Sequence, residues 1–251
     1  MLVFLGLGYS LRHLSKEAIE ELERSDVVYI DTYTSLFEDP LEKISELCPR
    51  ARVVYATRRD LEGEGILKII NEALVRKVTI AVPGDPFIAT THDAILSEAL
   101  RRDIKVKIVN GISIITMAYS RTGLQSYRFG KIVTLVYPYS FKPYSTVDVI
   151  YDNLSRNLHT LILLDLRVEE GKAMTIHEAV DIILDLDAKG MLKNNLALAL
   201  ARLGWLDEKI CMDKLGNLGK YSYPPPPHSI IVLAKLDPVE DEIVSYWRKT
   251  C

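Results

Sequence analysis

The sequence predicts an α/β protein of two domains, on the strength of three observations. Short apolar runs rich in β-branched residues recur along the chain, stretches with helical spacing separate them, and an Asn-Gly step near the middle interrupts the alternation. With 251 residues, 48% of them hydrophobic, each half has enough apolar material for a core of its own.

Leu2 to Leu7 is an apolar run that ends in Gly-Leu-Gly. The segment Ser15 to Arg24 then carries Ala18, Ile19 and Leu22 at helical spacing, with Ser15 placed to cap it. Val27 to Ile30, Arg52 to Ala56 and Val78 to Val82 are further short apolar runs. Their near-continuous hydrophobicity is that of strands buried on both faces, as in a parallel sheet sandwiched by helices. Helical patterns at Leu67 to Val75 and Ala94 to Arg101 precede a last strand, Val106 to Val109. The chain leaves it through Asn110-Gly111 and enters a helical pattern at Ile114 to Ser120, which puts the expected division between a first α/β domain, 1–111, and a second, 112–251. The second half repeats the theme, with apolar runs at Ile132 to Val136, Leu161 to Leu164, Leu196 to Leu200 and Ile230 to Leu233. Thr175 to Leu186 and Pro238 to Lys249 read as helices, and the four prolines from Pro224 to Pro227 set an extended segment before His228.

Composition excludes several classes. The 31 basic and 34 acidic residues leave a net charge of -3 with no long run of either sign, so no footprint for a phosphate backbone is present and no nucleic-acid partner is expected. The apolar start is broken by Gly6 and Gly8 and has no basic flank, and no later stretch has the length of a membrane span. A cytoplasmic protein without a membrane partner is the expectation. Cys48, Cys211 and Cys251 are odd in number and widely spaced, which fits neither a disulfide framework nor a paired-cysteine metal site. Reduced thiols and no metal are expected, although a hyperthermophilic source would permit an intracellular disulfide.

Two glycine-containing turns could carry chemistry. Gly6-Leu7-Gly8 after the first strand invites a dinucleotide reading, but Leu11 occupies the place of the third glycine, so a pyrophosphate site is disfavoured. A tight strand-to-helix turn is the plain alternative. More informative is Val82-Pro83-Gly84-Asp85-Pro86-Phe87-Ile88-Ala89-Thr90-Thr91-His92, at the carboxyl end of an apolar strand, where open α/β sheets bind ligands. Pro86 pushes Asp85 to an extended backbone whose carbonyl can face a ligand, and Gly84 permits close approach. The alternative is that Asp85 or Thr90 caps a helix starting near Thr91.

The Gly-Leu-Gly start, the run Val28-Tyr29-Ile30-Asp31-Thr32-Tyr33-Thr34-Ser35 and the Gly84 to His92 loop occur in this order in one chain. Together they resemble the tetrapyrrole methylase superfamily. Tyr33-Thr34-Ser35 and Gly-Asp-Pro-Phe-Ile-Ala-Thr-Thr-His resemble its diphthine synthase branch in particular, and the likeness continues through Asn110-Gly111-Ile112-Ser113-Ile114, Phe129-Gly130-Lys131, Tyr137-Pro138, His159-Thr160-Leu161, Leu164-Asp165 and Pro227-His228. The resemblance implies two α/β domains with S-adenosyl-L-methionine folded in the cleft between them, leaving S-adenosyl-L-homocysteine as product. The implied cofactor contacts are Tyr9, Asp85, Ile88, Ser113, Ile114, Leu164, Leu203 and His228. Where relatives carry a leucine and acidic residues after Gly-Leu-Gly, Tyr9, Ser10 and Leu11 stand here, so the Tyr9 contact is carried through its backbone. Ala201-Arg202-Leu203-Gly204 departs similarly from the Arg-Ala-Gly of relatives, so the Leu203 assignment holds only to within about a residue. The implied substrate is translation elongation factor two, methylated repeatedly on the amino group of an aminocarboxypropyl-histidine, and the implied assembly is a homodimer.

Methyl transfer from a sulfonium to a neutral amine is an in-line displacement that proximity and orientation can accelerate without a metal. No catalytic residue is assigned. Asp165 and His228 are candidates for a base, against the plain readings of a strand end and a turn residue. Competing functions are methylation of a tetrapyrrole carbon or a ribosomal RNA ribose on the same fold, a nucleotide-dependent oxidoreductase, and a cofactor-binding module without turnover.

Overall fold

The computed structural model describes residues 1–251, which form two compact units. The first comprises Met1–Ile114 together with Val168–Gly171, and the second Ile115–Arg167 and Lys172–Cys251. The chain thus divides at Ile114–Ile115 rather than at Gly111–Ile112, and a short later segment counts with the first unit, where Glu169 Oε1 accepts the Arg58 N–H at 2.9 Å.

In the first unit the chain runs β1 (Leu2–Gly8), α1 (Lys16–Glu23), β2 (Val27–Asp31), α2 (Glu42–Glu46), β3 (Arg52–Ala56), α3 (Arg58–Leu61), α4 (Gly65–Val75), β4 (Val78–Pro83), α5 (Asp93–Arg101) and β5 (Val106–Val109). The strands form one parallel sheet in the order β3-β2-β4-β1-β5. Strand periodicity sends alternate side chains of central β1 to opposite faces. Leu2 and Phe4 pack with Ile69, Ile70 and Ala73 of α4 and Ile95 and Ala99 of α5, whereas Val3, Leu5 and Leu7 pack with Ala18 and Leu22 of α1 and Ile44 of α2. Burial on both faces is why β1, β2 and β4 read as near-continuous apolar runs. The same reading fails for β3, which is a sheet edge and leaves Tyr55 exposed; β5, the other edge, leaves Ile108 exposed. Ser15 caps α1 as expected, accepting the Ala18 N–H at 3.0 Å.

The second unit is reached through α6 (Ile114–Thr122) and holds β6 (Val133–Leu135), α7 (Tyr144–Ser155), β7 (Thr160–Leu164), β8 (Leu166–Arg167), β9 (Lys172–Ala173), α8 (Ile176–Leu186), β10 (Leu196–Ala201), β11 (Lys209–Lys214), α9 (Leu215–Leu218), β12 (His228–Val232) and α10 (Pro238–Ser245). Its main sheet has the order β11-β10-β12-β7-β6, parallel only between β6 and β7 and antiparallel elsewhere. Ile162, Leu164, Ala197, Ala199, Ile230 and Val232 pack with Val147 and Ile150 of α7 and with Ala179, Val180 and Ile183 of α8. The capping box at Thr175, which accepts the Glu178 N–H while Glu178 accepts the Thr175 N–H, fixes the start of α8.

One expectation is corrected here. Cys211 of β11 and Cys251 form a disulfide, and only Cys48 is a free, buried thiol. Sequence spacing missed the pair because its partners are 40 residues apart and meet only through the edge strand of the sheet.

Candidate cofactor-binding site

All five strands of the first unit run the same way, so the residues that follow them gather at one rim. Three main-chain segments touch there through glycines. A Cβ on Gly111 would lie 2.1 Å from the Gly84 carbonyl oxygen, and one on Gly6 would lie 2.4 Å from the Gly111 nitrogen. The Gly8 N–H donates to Gly84 O at 3.0 Å and the Gly84 N–H donates back to Gly8 O at 2.6 Å. Gly8 and Gly84 have φ of +64° and +83°, a backbone region that glycine adopts without steric cost. Gly-Leu-Gly is therefore neither a pyrophosphate turn nor an isolated tight turn. It is the socket into which the proline loop is bonded.

Tyr9 closes this socket. Its hydroxyl accepts the Ile114 N–H at 3.1 Å, and a Cβ on Gly84 would come within 2.8 Å of the same oxygen. Burial pushes the Tyr9 hydroxyl well above the ordinary tyrosine value, so it stays protonated and available as a donor. The Tyr9 N–H donates to His13 Nδ1 at 3.1 Å, and its carbonyl accepts the Glu38 N–H at 2.9 Å. Through Tyr9 the first turn fixes the place where Ser113 and Ile114 open α6.

Asp85 braces the other side. It is 6% exposed; Oδ1 accepts the Phe87 N–H at 3.0 Å, and Oδ2 accepts Asn110 Nδ2 at 3.0 Å and the Gly111 N–H at 3.2 Å. A carboxylate that gathers donors from two loops locks their spacing. Neither Asp85 nor Thr90 caps the following helix: α5 begins at Asp93, and the Thr90 hydroxyl donates to Pro86 O at 2.6 Å. The Asp85 carbonyl accepts the Ile88 N–H at 3.3 Å, so the loop turns at once after Pro86. Phe87 anchors that turn against Phe4, with ring centroids 4.9 Å apart. Ile88 stands 36% exposed beyond it, and Ile112 on the neighbouring loop is 38% exposed.

In the second unit, register assembles a corresponding rim. Leu135 pairs with Leu164, Leu163 with Ser229, and His228 with Ala201, so the end of β7, the start of β12 and the end of β10 lie side by side. Leu203 follows β10 and is buried, held between Arg202 and Gly204, both at positive φ. His228 Nδ1 accepts the Ile176 N–H at 3.2 Å while Nε2 donates to Pro224 O at 2.7 Å. Both ring nitrogens are thus occupied, and burial pushes the ring's proton affinity down. His228 has no lone pair left to act as a base. Asp165 Oδ2 accepts the Tyr137 N–H and Arg167 Nε, each at 3.2 Å, which makes it a brace between β6 and the β7 end.

The eight expected contact residues therefore fall into two groups: Tyr9, Asp85, Ile88, Ser113 and Ile114 on the first rim, and Leu164, Leu203 and His228 on the second. Sequence reasoning missed Asn110 as the Asp85 partner and Ala89 as a left-handed residue, φ +57°. An alanine carries no sign of that conformation, whereas Asn110 stood in plain view beside Gly111.

A family model for tetrapyrrole (corrin/porphyrin) methylases matches residues 1–219. The chain belongs to the tetrapyrrole methylase family. Within it, a diphthine synthase from Staphylothermus marinus is 57% identical over 248 residues, covering 98% of this chain and 93% of the relative. A diphthine synthase from Archaeoglobus fulgidus is 40% identical over 236 residues, covering 94% and 90%. A solved crystal structure of diphthine synthase superposes with a TM-score of 0.90 at 36% identity, covering 100% of this chain and 99% of that one. The protein is accordingly a methyltransferase of the diphthine synthase branch, the branch of diphthamide biosynthesis. No helix of this methylase is long and apolar enough to cross a membrane.

Proposed function

We propose that this methylase binds S-adenosyl-L-methionine at the rim of the first unit and transfers its methyl group to the amino nitrogen of an aminocarboxypropyl-histidine on translation elongation factor two. The observation that carries the cofactor reading is the Asp85 brace, which joins the loops after β4 and β5 while leaving the apolar side chains of Ile88 and Ile112 uncovered on them. Polar main chain beside uncovered apolar side chains suits a ligand with a flat purine face and a polar amino-acid end. When bound, the cofactor supplies a methyl group activated on a positively charged sulfur.

The chain's own contribution is placement. Asp85 and Tyr9 hold the two loops in register, and Ser113 and Ile114 present the first turn of α6; Leu164, Leu203 and His228 are the further contacts that the family likeness implies. The acceptor nitrogen must be neutral at each attack, so each of the repeated methylations is preceded by loss of a proton. The protein works in the cytoplasm as a homodimer on this reading.

The test is incubation with labelled S-adenosyl-L-methionine and elongation factor two that carries the unmethylated precursor, followed by mass spectrometry of the modified peptide. Methyl-sized increments are expected, and Asp85→Ala, which leaves three donors unpaired, is expected to weaken S-adenosyl-L-homocysteine binding by about tenfold or more. Cofactor binding without transfer to this substrate would move the acceptor to a tetrapyrrole or an RNA ribose. Absence of cofactor binding would overturn the proposal.

A further inference from the structure

Two stretches of the family-like sequence, Asp31–Ser35 and Ala89–His92, meet directly behind the proline loop. Asp31 ends β2, and both Asp31 and His92 are fully buried, at 0% exposure. His92 Nδ1 lies 2.9 Å from Pro86 O, which can only accept, so Nδ1 carries a hydrogen. Its Nε2 makes no hydrogen bond, and the charged group it faces is Asp31 Oδ2, at 3.4 Å. The Asp31 carboxylate is itself fixed by the N–H groups of Tyr33 and Thr34, at 2.9 and 3.1 Å, and by the Thr34 hydroxyl. A second tie runs outside it: the Tyr33 hydroxyl and Thr91 Oγ1 are 2.8 Å apart, and both bond Glu62 Oε1, at 2.9 and 3.1 Å.

Between these ties the chain makes its one unfavourable turn of the loop, Ala89 at φ +57°. A non-glycine residue in that region persists when its surroundings hold it there. Pro86 O, which receives both His92 and the Thr90 hydroxyl, is the point at which they do so. We infer that His92 and Asp31 are positioning residues: a buried latch between the end of β2 and the proline loop that sets the Pro86–Ala89 turn, and with it Ile88, for the cofactor. The inference rests on the cofactor reading proposed above. A histidine that merely filled space would be replaceable by an apolar ring, whereas a latch depends on the donor to Pro86 and on a group that can meet Asp31.

The full-length protein with His92→Phe, His92→Asn or Asp31→Asn tests this through S-adenosyl-L-homocysteine affinity by calorimetry, the separate changes in KM and kcat, and amide hydrogen exchange across residues 88–91 of the free protein. His92→Phe is expected to raise the cofactor dissociation constant and KM about tenfold, with a smaller change in kcat at saturation and faster exchange in the loop. His92→Asn, which keeps a donor near Nδ1 but cannot reach Asp31, is expected to lose about threefold and serves if the phenylalanine variant does not fold. Asp31→Asn, which keeps the size of the side chain and one acceptor oxygen but removes the charge, is expected to lose less than His92→Phe. Wild-type-like binding and loop exchange in both His92 variants would overturn the latch while leaving the cofactor reading intact. If the wild-type protein itself failed to bind the cofactor, the cofactor reading would fall; unchanged loop exchange in His92→Phe would then remove the latch as well, and faster exchange would retain its hold on the loop.

Discussion

The two units build similar rims by opposite means. In the first, parallel strands deliver every loop to one end, and main chain rests directly on main chain at Gly6, Gly84 and Gly111, with the Tyr9 and Asp85 side chains bracing that contact. In the second, the rim mixes the ends of β7 and β10 with the start of β12, and it is closed by side chains: His228 bonded to two segments, and Asp165 bonded to two more. The second unit also carries a covalent pin from its edge strand to the chain end, which the first lacks. Chain direction is enough to locate a site in a parallel sheet. In a mixed sheet register has to do it.

Removing the pin is expected to have the largest effect. Cys251→Ser frees a link spanning 40 residues, and the loop-closure relation assigns it about 4 kcal/mol. Denaturant unfolding should show the loss, and hydrogen exchange should confine it to β10–β11 with β1, β2 and β4 still protected. A loss shared equally by both units would break the contrast drawn here.

Gly111→Ala attacks the first unit at the corresponding point. Its Cβ would sit 2.1 Å from Gly84 O, a backbone atom that cannot swing aside. A destabilisation of about 3 kcal/mol is expected, together with weakened cofactor binding. Near-normal stability would mean that the glycine contact is not what closes this rim.

His228→Ala should cost about 2 kcal/mol, because it strands the Ile176 N–H and Pro224 O without partners. Calorimetric melting would register it in the second unit.

The smallest effect is a pH dependence. Burial lowers the proton affinity of His228, and also that of His159, where Glu240 opposes the shift. In the unfolded chain both rings take up a proton near pH 6.5, while in the fold they do so only at lower pH. In that window the unfolded state binds more protons, so stability is complete above about pH 6.5, falls as the pH drops through it, and levels off below the folded values. The His228→Ala variant should lose part of this acid sensitivity. A pH-independent melting point between about 5 and 8 would contradict the assignment.

Much of the first unit was legible from sequence because its signals are local. Near-continuous apolar runs marked β1, β2 and β4, and the Pro-Gly-Asp-Pro loop after β4 announced the rim. The edge strands β3 and β5 were found as strands but not as edges, since pairing partners leave no trace in a short run. In the second unit α7 and β11 were missed. Tyr144–Ser155 mixes β-branched and polar residues, and its helix shows only where Val147 and Ile150 meet the core. Lys209–Lys214 is a brief apolar core between lysines, and its pairing with β10 makes it a strand.

By itself, then, the sequence determined the α/β class, the place of the proline loop at a strand end and the family likeness, because spacing and turn chemistry act over a few neighbouring residues. Tertiary structure alone decided that Gly111 rests on Gly84, that Asp85 reaches Asn110, that His92 faces Asp31, and that Cys211 meets Cys251. These contacts join segments 25 to 61 residues apart. Only the register of strands packed side by side brings such segments together.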